Sequence, residues 1–127
     1  MANGKNTGIR NIILWIAQVL LCLSFIWSAW MKLFVPADQL AAMWPWTGDN
    51  PGLTKLTGVV DLLIGLGLVL PMLLRILPVL TLFAAYATIA LMLIASAFHI
   101  VRGEASNIGV NVVFLVVAVV IAWGRRN

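Results

Sequence analysis

The chain has 127 residues, of which 63% are hydrophobic and 9% are charged, whereas soluble domains average about 45–50% apolar and about 25% charged residues. This composition excludes an ordinary soluble domain and predicts a single domain that lies in a lipid bilayer. The net charge of +4 does not indicate nucleic-acid binding, because the basic residues lie between and beside apolar runs.

Four apolar runs predict an all-α fold, an integral membrane four-helix bundle. Lipid offers no hydrogen-bond partners to backbone amides, whereas a helix forms all of its backbone hydrogen bonds within itself. The predicted spans are about 12–35, 54–71, 73–100 and 107–123. The second and fourth runs need their flanks to reach the roughly 17–25 residues that cross the hydrocarbon. The first run is far longer than the apolar stretch of about 7–15 residues in a signal peptide, so we predict that it is retained.

The basic residues predict the orientation. One side holds both termini and the second-to-third connection, with five basic residues and no acidic one: Lys5, Arg10, Arg75, Arg125 and Arg126. The other side mixes Lys32, Lys55 and Arg102 with Asp38, Asp49 and Glu104. The positive-inside rule therefore predicts a multi-pass membrane protein with both termini in the cytoplasm. The membrane that we expect is a bacterial plasma (inner) membrane.

The connection between the first two spans reads PADQLAAMWPWTGDNPGLT from Pro36. We expect a short helix over 37–44, ended by Pro45, Gly48, Pro51 and Gly52, which are typical helix breakers. Trp44 and Trp46 are then candidates for a lid over the residues beneath them. The alternative is a simple loop that its tryptophans anchor in the membrane interface.

A helical rotation of about 100° per residue places the small or polar residues of each span on one face, a pattern typical of helices that pack together in a membrane. The faces comprise Asn11, Gln18, Ser28 and Lys32; Gly58, Asp61 and Gly65; Thr81, Ala85, Thr88, Met92, Ser96 and His99; and Asn107, Asn111, Ala118 and Ala122. The remaining Leu, Ile, Val and Phe residues are predicted to face lipid.

Six polar residues are expected to converge in the outer half of the bundle as ligand-binding or proton-handling candidates: Lys32, Asp61, His99, Glu104, Asn107 and Asn111. A lone aspartate at a helix centre costs roughly 2.5–3.5 kcal/mol on insertion scales. Asp61 therefore needs Lys32 or His99 within reach. The alternative to a ligand or proton site is a polar clasp that fixes how the helices pack.

Two stretches resemble the DoxX-like family of small four-helix membrane proteins: Ala29-Trp30-Met31-Lys32-Leu33, and GVVDLLIGLGLVLP from Gly58 to Pro71. The order Ala95, His99, Glu104 and then Asn111 leading to Gly124-Arg125 is similar to that family too. Family members usually have glycine in place of Ala29 and glutamate in place of Asp61. The resemblance implies association with membrane redox systems, such as a thiosulfate:quinone oxidoreductase, or with oxidative-stress proteins; distant relatives are membrane chaperones.

We predict an accessory or assembly subunit associated with a quinone-linked redox system. Two alternatives stay open: a quinone- or lipid-binding oxidoreductase subunit with a polar site between helices, and a small transporter. Cys22 is the single cysteine, and no metal-ligand spacing is present, so we expect no metal and no covalently bound cofactor. A quinone is the candidate cofactor, and the expected partners are the bilayer, a membrane or peripheral oxidoreductase and a second copy of the chain.

Overall fold

The computed structural model describes residues 4–77, 79–104 and 108–126, with side chains from residue 8 onward. They form six helices: α1 (Gly4–Phe34), α2 (Ala37–Met43), α3 (Pro45–Asp49), α4 (Pro51–Leu73), α5 (Val79–Val101) and α6 (Gly109–Arg125). The long helices α1, α4, α5 and α6 pack in that order, and α6 returns to α1. The predicted all-α membrane fold is confirmed, with two short helices in addition to the four long ones.

Three of the described helices, α1, α4 and α5, are long and apolar enough to cross a membrane. Helix α6 is apolar but has 17 residues, at the lower end of the roughly 17–25 that a crossing needs, so its crossing stays a prediction. The predicted start of the third span at residue 73 is wrong, because α4 continues to Leu73 and α5 begins only at Val79. Pro78 lies outside the described residues.

The core of the bundle comes from the small and apolar faces of the long helices. Its buried residues are Leu21, Phe25, Ile64, Leu68, Ala84, Ala85, Met92, Ala118, Ile121 and Ala122. The ring centroids of Phe25 and Phe114 lie 5.6 Å apart across it. Large apolar side chains such as Leu20, Leu63 and Ile94 are more than half exposed, which suits a surface that contacts lipid instead of water.

Helix α4 approaches α1 closely through glycines. A Cβ atom on Gly65 would lie 3.2 Å from Cδ1 of Ile26 and 3.3 Å from the carbonyl oxygen of Cys22. Gly58, Asp61 and Gly65 are all buried on this face, as their helical spacing predicts. On the other side of α4, the hydroxyl of Thr81 in α5 donates to the carbonyl oxygen of Gly67 at 3.1 Å.

The connection between α1 and α4 is helical, where a broken chain was predicted after residue 44. The predicted helix over 37–44 corresponds to α2, but Pro45 and Pro51, predicted as breakers, each begin a helix instead. Proline suits the first helical position because its missing N–H has no partner there in any case. Helices α2 and α3 cover one end of the bundle, which we call the cap end. The opposite end carries Arg10, Arg75 and Arg125, and we call it the termini end.

Candidate functional site

Asp61 lies in the middle of α4 and is only 2% exposed. Its Oδ2 atom accepts hydrogen bonds from the hydroxyl of Ser28 and the ammonium of Lys32, both at 2.8 Å. These two donors are four residues apart on α1, so they lie one above the other on the face that meets α4. Of the two cations predicted as partners for this carboxylate, the structure therefore selects Lys32.

Local packing positions the Lys32 side chain against α4. A Cβ atom on Gly58 would lie 3.0 Å from Cβ of Lys32, so glycine one turn before Asp61 leaves room for the lysine stem. The ammonium of Lys55 donates to the carbonyl oxygens of Lys32 and Leu33 at 3.2 and 3.1 Å. These carbonyls end α1 and have no intrahelical donor, so Lys55 fixes the end of the helix that carries Lys32.

The end of α5 brings Glu104 back to His99. The amide of Glu104 donates to the carbonyl oxygen of His99 at 2.7 Å and the amide of Gly103 to that of Ile100 at 3.0 Å, a pairing known as a Schellman motif. Gly103 has a φ of 79°, which glycine adopts without steric cost. The reversal places Oε1 of Glu104 3.1 Å from Nδ1 of His99.

Arg102 extends this pair to the cap. Its Nε atom donates to Oε1 of Glu104 and its Nη2 atom to Oδ2 of Asp49, both at 3.0 Å. The hydrogen bond from His99, reinforced by the one from Arg102, holds the pKa of Glu104 below its usual range. The hydrogen bonds to Asp49 and Glu104 raise the pKa of Arg102. The last turn of α5 is thus tied to the end of α3.

Trp46 separates the two groups of charges and contacts both. The Lys32 ammonium lies 5.5 Å from the centroid of the Trp46 ring, and the His99 ring packs edge-on at 6.3 Å. We call this set the cap network; it comprises Ser28, Lys32, Asp49, Asp61, Trp46, His99, Arg102 and Glu104. Trp44, the other lid candidate, packs edge-on against Trp27 at 5.7 Å.

Four of the six predicted site residues, Lys32, Asp61, His99 and Glu104, belong to the cap network. Asn111 forms no hydrogen bond to it within the described ranges, and its amide nitrogen is buried without a partner there. Asn107 lies outside the described residues. The sequence prediction omitted Asp49 and Arg102 from the site, although both were placed on the outer side as opposite charges.

A second polar cluster at the termini end was not predicted. Gln18 is fully buried; its amide nitrogen donates to the carbonyl oxygen of Leu68 and its Oε1 accepts from Nε of Arg125, both at 2.7 Å. Nη1 of Arg125 donates to Oδ1 of Asn11, also at 2.7 Å. The polar face of α1 was recognised, but the sequence did not indicate that Arg125 folds back onto it.

The cap network combines opposite charges at hydrogen-bonding distance. The ammonium of Lys32 and the guanidinium of Arg102 contact the three carboxylates of the network, and the ring of His99 is hydrogen-bonded to Glu104. Within residues 4–77, 79–104 and 108–126, no group of three His, Cys, Asp or Glu side chains is arranged to hold a metal ion. The arrangement can join helices, and its imidazole, ammonium and indole could contact a small polar headgroup.

One comparison with known proteins identifies a family. A model of the DoxX-like family matches residues 16–121. This match covers all of α4 and α5, parts of α1 and α6, and every residue of the cap network. No curated protein and no solved structure matches the chain.

Proposed function

Because the chain belongs to the DoxX-like family of small membrane proteins, we propose that it is an accessory or assembly subunit of a quinone-linked membrane redox system. The association with redox systems rests on what the family resemblance implies. The accessory role is supported by one observation: the charged side chains of the cap network are paired with one another. Charges that are already paired act as a clasp between helices more readily than as acids or bases toward a substrate.

The charged pairs of the cap network are better suited to selecting one arrangement of the helices than to raising the free energy of unfolding. A buried ion pair adds little stability, because the loss of hydration offsets the attraction between the charges. It does penalise any packing in which one charge loses its partner. The Lys32–Asp61 pair fixes the register of α4 on α1, and the Arg102 contacts fix α3 on α5. We propose that this clasp holds the outer apolar faces in the arrangement that a partner subunit recognises.

We also propose a location and an orientation. We place the chain in a bacterial plasma membrane, and the excess of basic residues at the termini end supports an orientation with both termini in the cytoplasm. The cap network then faces the outer leaflet, and a quinone-linked partner would meet the bundle within the membrane. A second copy of the chain is a further partner that the exposed apolar faces suit.

Co-purification tests the accessory role. The tagged protein is extracted from native membranes in mild detergent, and the proteins that remain bound are quantified by mass spectrometry. We expect a subunit of an oxidoreductase at near-stoichiometric amounts with the native chain. The double variant Lys32→Met/Asp61→Leu removes the clasp and should retain less of that subunit. A folded native chain that retains no oxidoreductase subunit would contradict the proposal.

The second candidate function, quinone binding at the cap network, is favoured by the position of Trp46 between Lys32 and His99. A quinone site combines apolar walls with a few placed polar groups, and these three side chains offer an indole face, an ammonium and an imidazole. Extraction of the purified protein with organic solvent, followed by chromatography, measures bound quinone. If the site binds quinone, the native chain retains it and the folded double variant loses it. The third alternative, a small transporter, stays a prediction.

A further inference from the structure

The termini end carries a concentration of positive charge that the cap network does not use. The ring of Trp123 has the guanidinium of Arg10 at 4.7 Å and that of Arg126 at 5.7 Å from its centroid. The guanidinium of Arg125, the next residue, lies 5.8 Å from the ring of Trp15. Three arginines from α1 and the end of α6 therefore gather around two tryptophans.

Carboxylate side chains do not balance these cations. The chain has four acidic residues, and all four are described: Asp38, Asp49 and Glu104 lie at the cap end, and Asp61 is held by Lys32. Among the described residues, the one hydrogen bond of the Arg10 guanidinium is to the carbonyl oxygen of Gly124, at 3.3 Å. The Nη2 atom of Arg125 is buried without a partner within the described ranges. The cluster is thus complementary to an anion.

An apolar groove begins beside the arginines. It has a volume of about 280 Å³ between α1 and α6 and is lined by Ile9, Arg10, Ile13, Leu14, Val120 and Trp123. Apart from the arginine, its walls are hydrocarbon and one indole ring. A ligand that fits both features has a negatively charged head and a hydrocarbon chain.

We propose that this surface binds an anionic phospholipid of the leaflet that contacts both termini. Its phosphate lies between Arg10 and Arg126, and one acyl chain occupies the groove beside Val120. Arginine forks bind phosphate oxygens in a planar, paired geometry, and basic sites between membrane helices bind phospholipid headgroups in this manner. The proposal concerns a different end of the molecule from the cap network and does not depend on the proposed function.

The test is native mass spectrometry of the full chain in detergent, titrated with phosphatidylglycerol or with phosphatidylcholine of the same acyl chains. We expect retention of phosphatidylglycerol at concentrations where phosphatidylcholine is lost. Arg10→Gln and Arg126→Gln should each weaken binding about fivefold, the contribution of one basic residue near an anionic lipid surface. Arg75→Gln is the matched control, because Arg75 lies at the same end, between α4 and α5, outside the groove, and should change nothing.

A second pair of variants tests the acyl chain. Val120→Trp fills the groove and should lower phosphatidylglycerol retention, whereas Val116→Trp, one turn away on α6 and outside the groove lining, should not. Both positions are at least 40% exposed, so folding should persist, and circular dichroism checks it. An equal loss in Arg75→Gln, no loss in Val120→Trp, or full displacement of the lipid by millimolar inorganic phosphate would each overturn the proposal.

Discussion

At the scale of single residues, the environment of Asp61 explains how a carboxylate is tolerated inside a membrane helix. Two donors on α1 share its Oδ2 atom, and its side chain is 3% exposed while that of Lys32 is 12% exposed. A lysine this close to a helix end can extend its ammonium toward the interface. The Asp61 side chain is therefore buried, and the Lys32 side chain is partly exposed.

Asp61→Asn should be strongly destabilising, because it leaves the Lys32 ammonium without its counter-charge. Breaking a buried pair by removing one partner costs about 3–5 kcal/mol, and partial exposure of Lys32 favours the lower end. The double variant Lys32→Met/Asp61→Leu should recover most of this loss. Unfolding curves in detergent measure both variants; a double variant as unstable as Asp61→Asn would contradict the ion-pair explanation.

Glu104 should give the cap end a dependence on pH. Its pKa is lowered in the folded chain, mainly by the hydrogen bond with His99, so its contribution to stability is present above the ordinary glutamate value of about 4.3. The contribution is lost as the pH falls through the lowered folded-state value. Hydrogen exchange of the 99–104 turn, measured between pH 6 and pH 3, should show faster opening at the acid end. Glu104→Gln should remove the increase in exchange that protonation of Glu104 causes. If this variant shows the same pH dependence as the native chain, the effect does not come from Glu104.

At the scale of elements, α4 and α5 end in the same motif with different residues. In α4 the amide of Ile76 donates to the carbonyl oxygen of Pro71 and that of Arg75 to Met72, the same pairing that ends α5. The left-handed position is Arg75 in one helix, with φ 57°, and Gly103 in the other, with φ 79°. A side chain at such a position crowds the following carbonyl group, which costs roughly 1–2 kcal/mol.

We therefore expect substitutions at the two left-handed positions, Arg75 and Gly103, to have opposite effects on the free energy of unfolding. Arg75→Gly should stabilise the chain by up to about 1 kcal/mol, since part of the relief is offset by the greater freedom of glycine in the unfolded chain. Gly103→Ala should destabilise it by a similar amount and loosen the contact between His99 and Glu104. Unfolding in detergent measures both variants. A stabilising Gly103→Ala would contradict the role assigned to the left-handed residue.

At the scale of the whole molecule, the arrangement of helices predicts which segments share a side. Gly8, Gly52 and Gly109 have open space around the position of a Cβ atom, so cysteine fits at each. Gly8 lies at the termini end, and Gly52 and Gly109 lie at the cap end. Replacing Cys22, the single cysteine, by alanine gives a background without thiols.

In intact cells a membrane-impermeant maleimide should label Gly52→Cys and Gly109→Cys, whereas Gly8→Cys and Arg126→Cys should react only after lysis. The pair at Gly109 and Arg126 tests whether α6 crosses the membrane, and the pair at Gly8 and Gly52 tests the orientation. Labelling of Gly109 and Arg126 from the same side would show that α6 does not span. Labelling of Gly8→Cys but not of Gly52→Cys in intact cells would show that the orientation is the reverse of the one proposed.

The sequence by itself determined the all-α membrane class and the inward faces of the long helices. Composition and the spacing of Gly58, Asp61 and Gly65 sufficed, because helical period and lipid exposure are local properties of the chain. It also predicted that Lys32, Asp61, His99 and Glu104 lie toward the same end of the bundle. The tertiary structure decided that Lys32, and not His99, neutralises Asp61, and that Arg102 links Glu104 to Asp49.

The remaining features depended on contacts between residues distant in the sequence. The proline-started helices α2 and α3, the position of Trp46 between two charged groups and the return of Arg125 to Gln18 all follow from how separate helices meet. Helical angle and hydropathy constrain each helix alone, whereas the partner of a buried charge is set by the distance between helices. Tertiary packing fixes that distance, here through the glycines of α4.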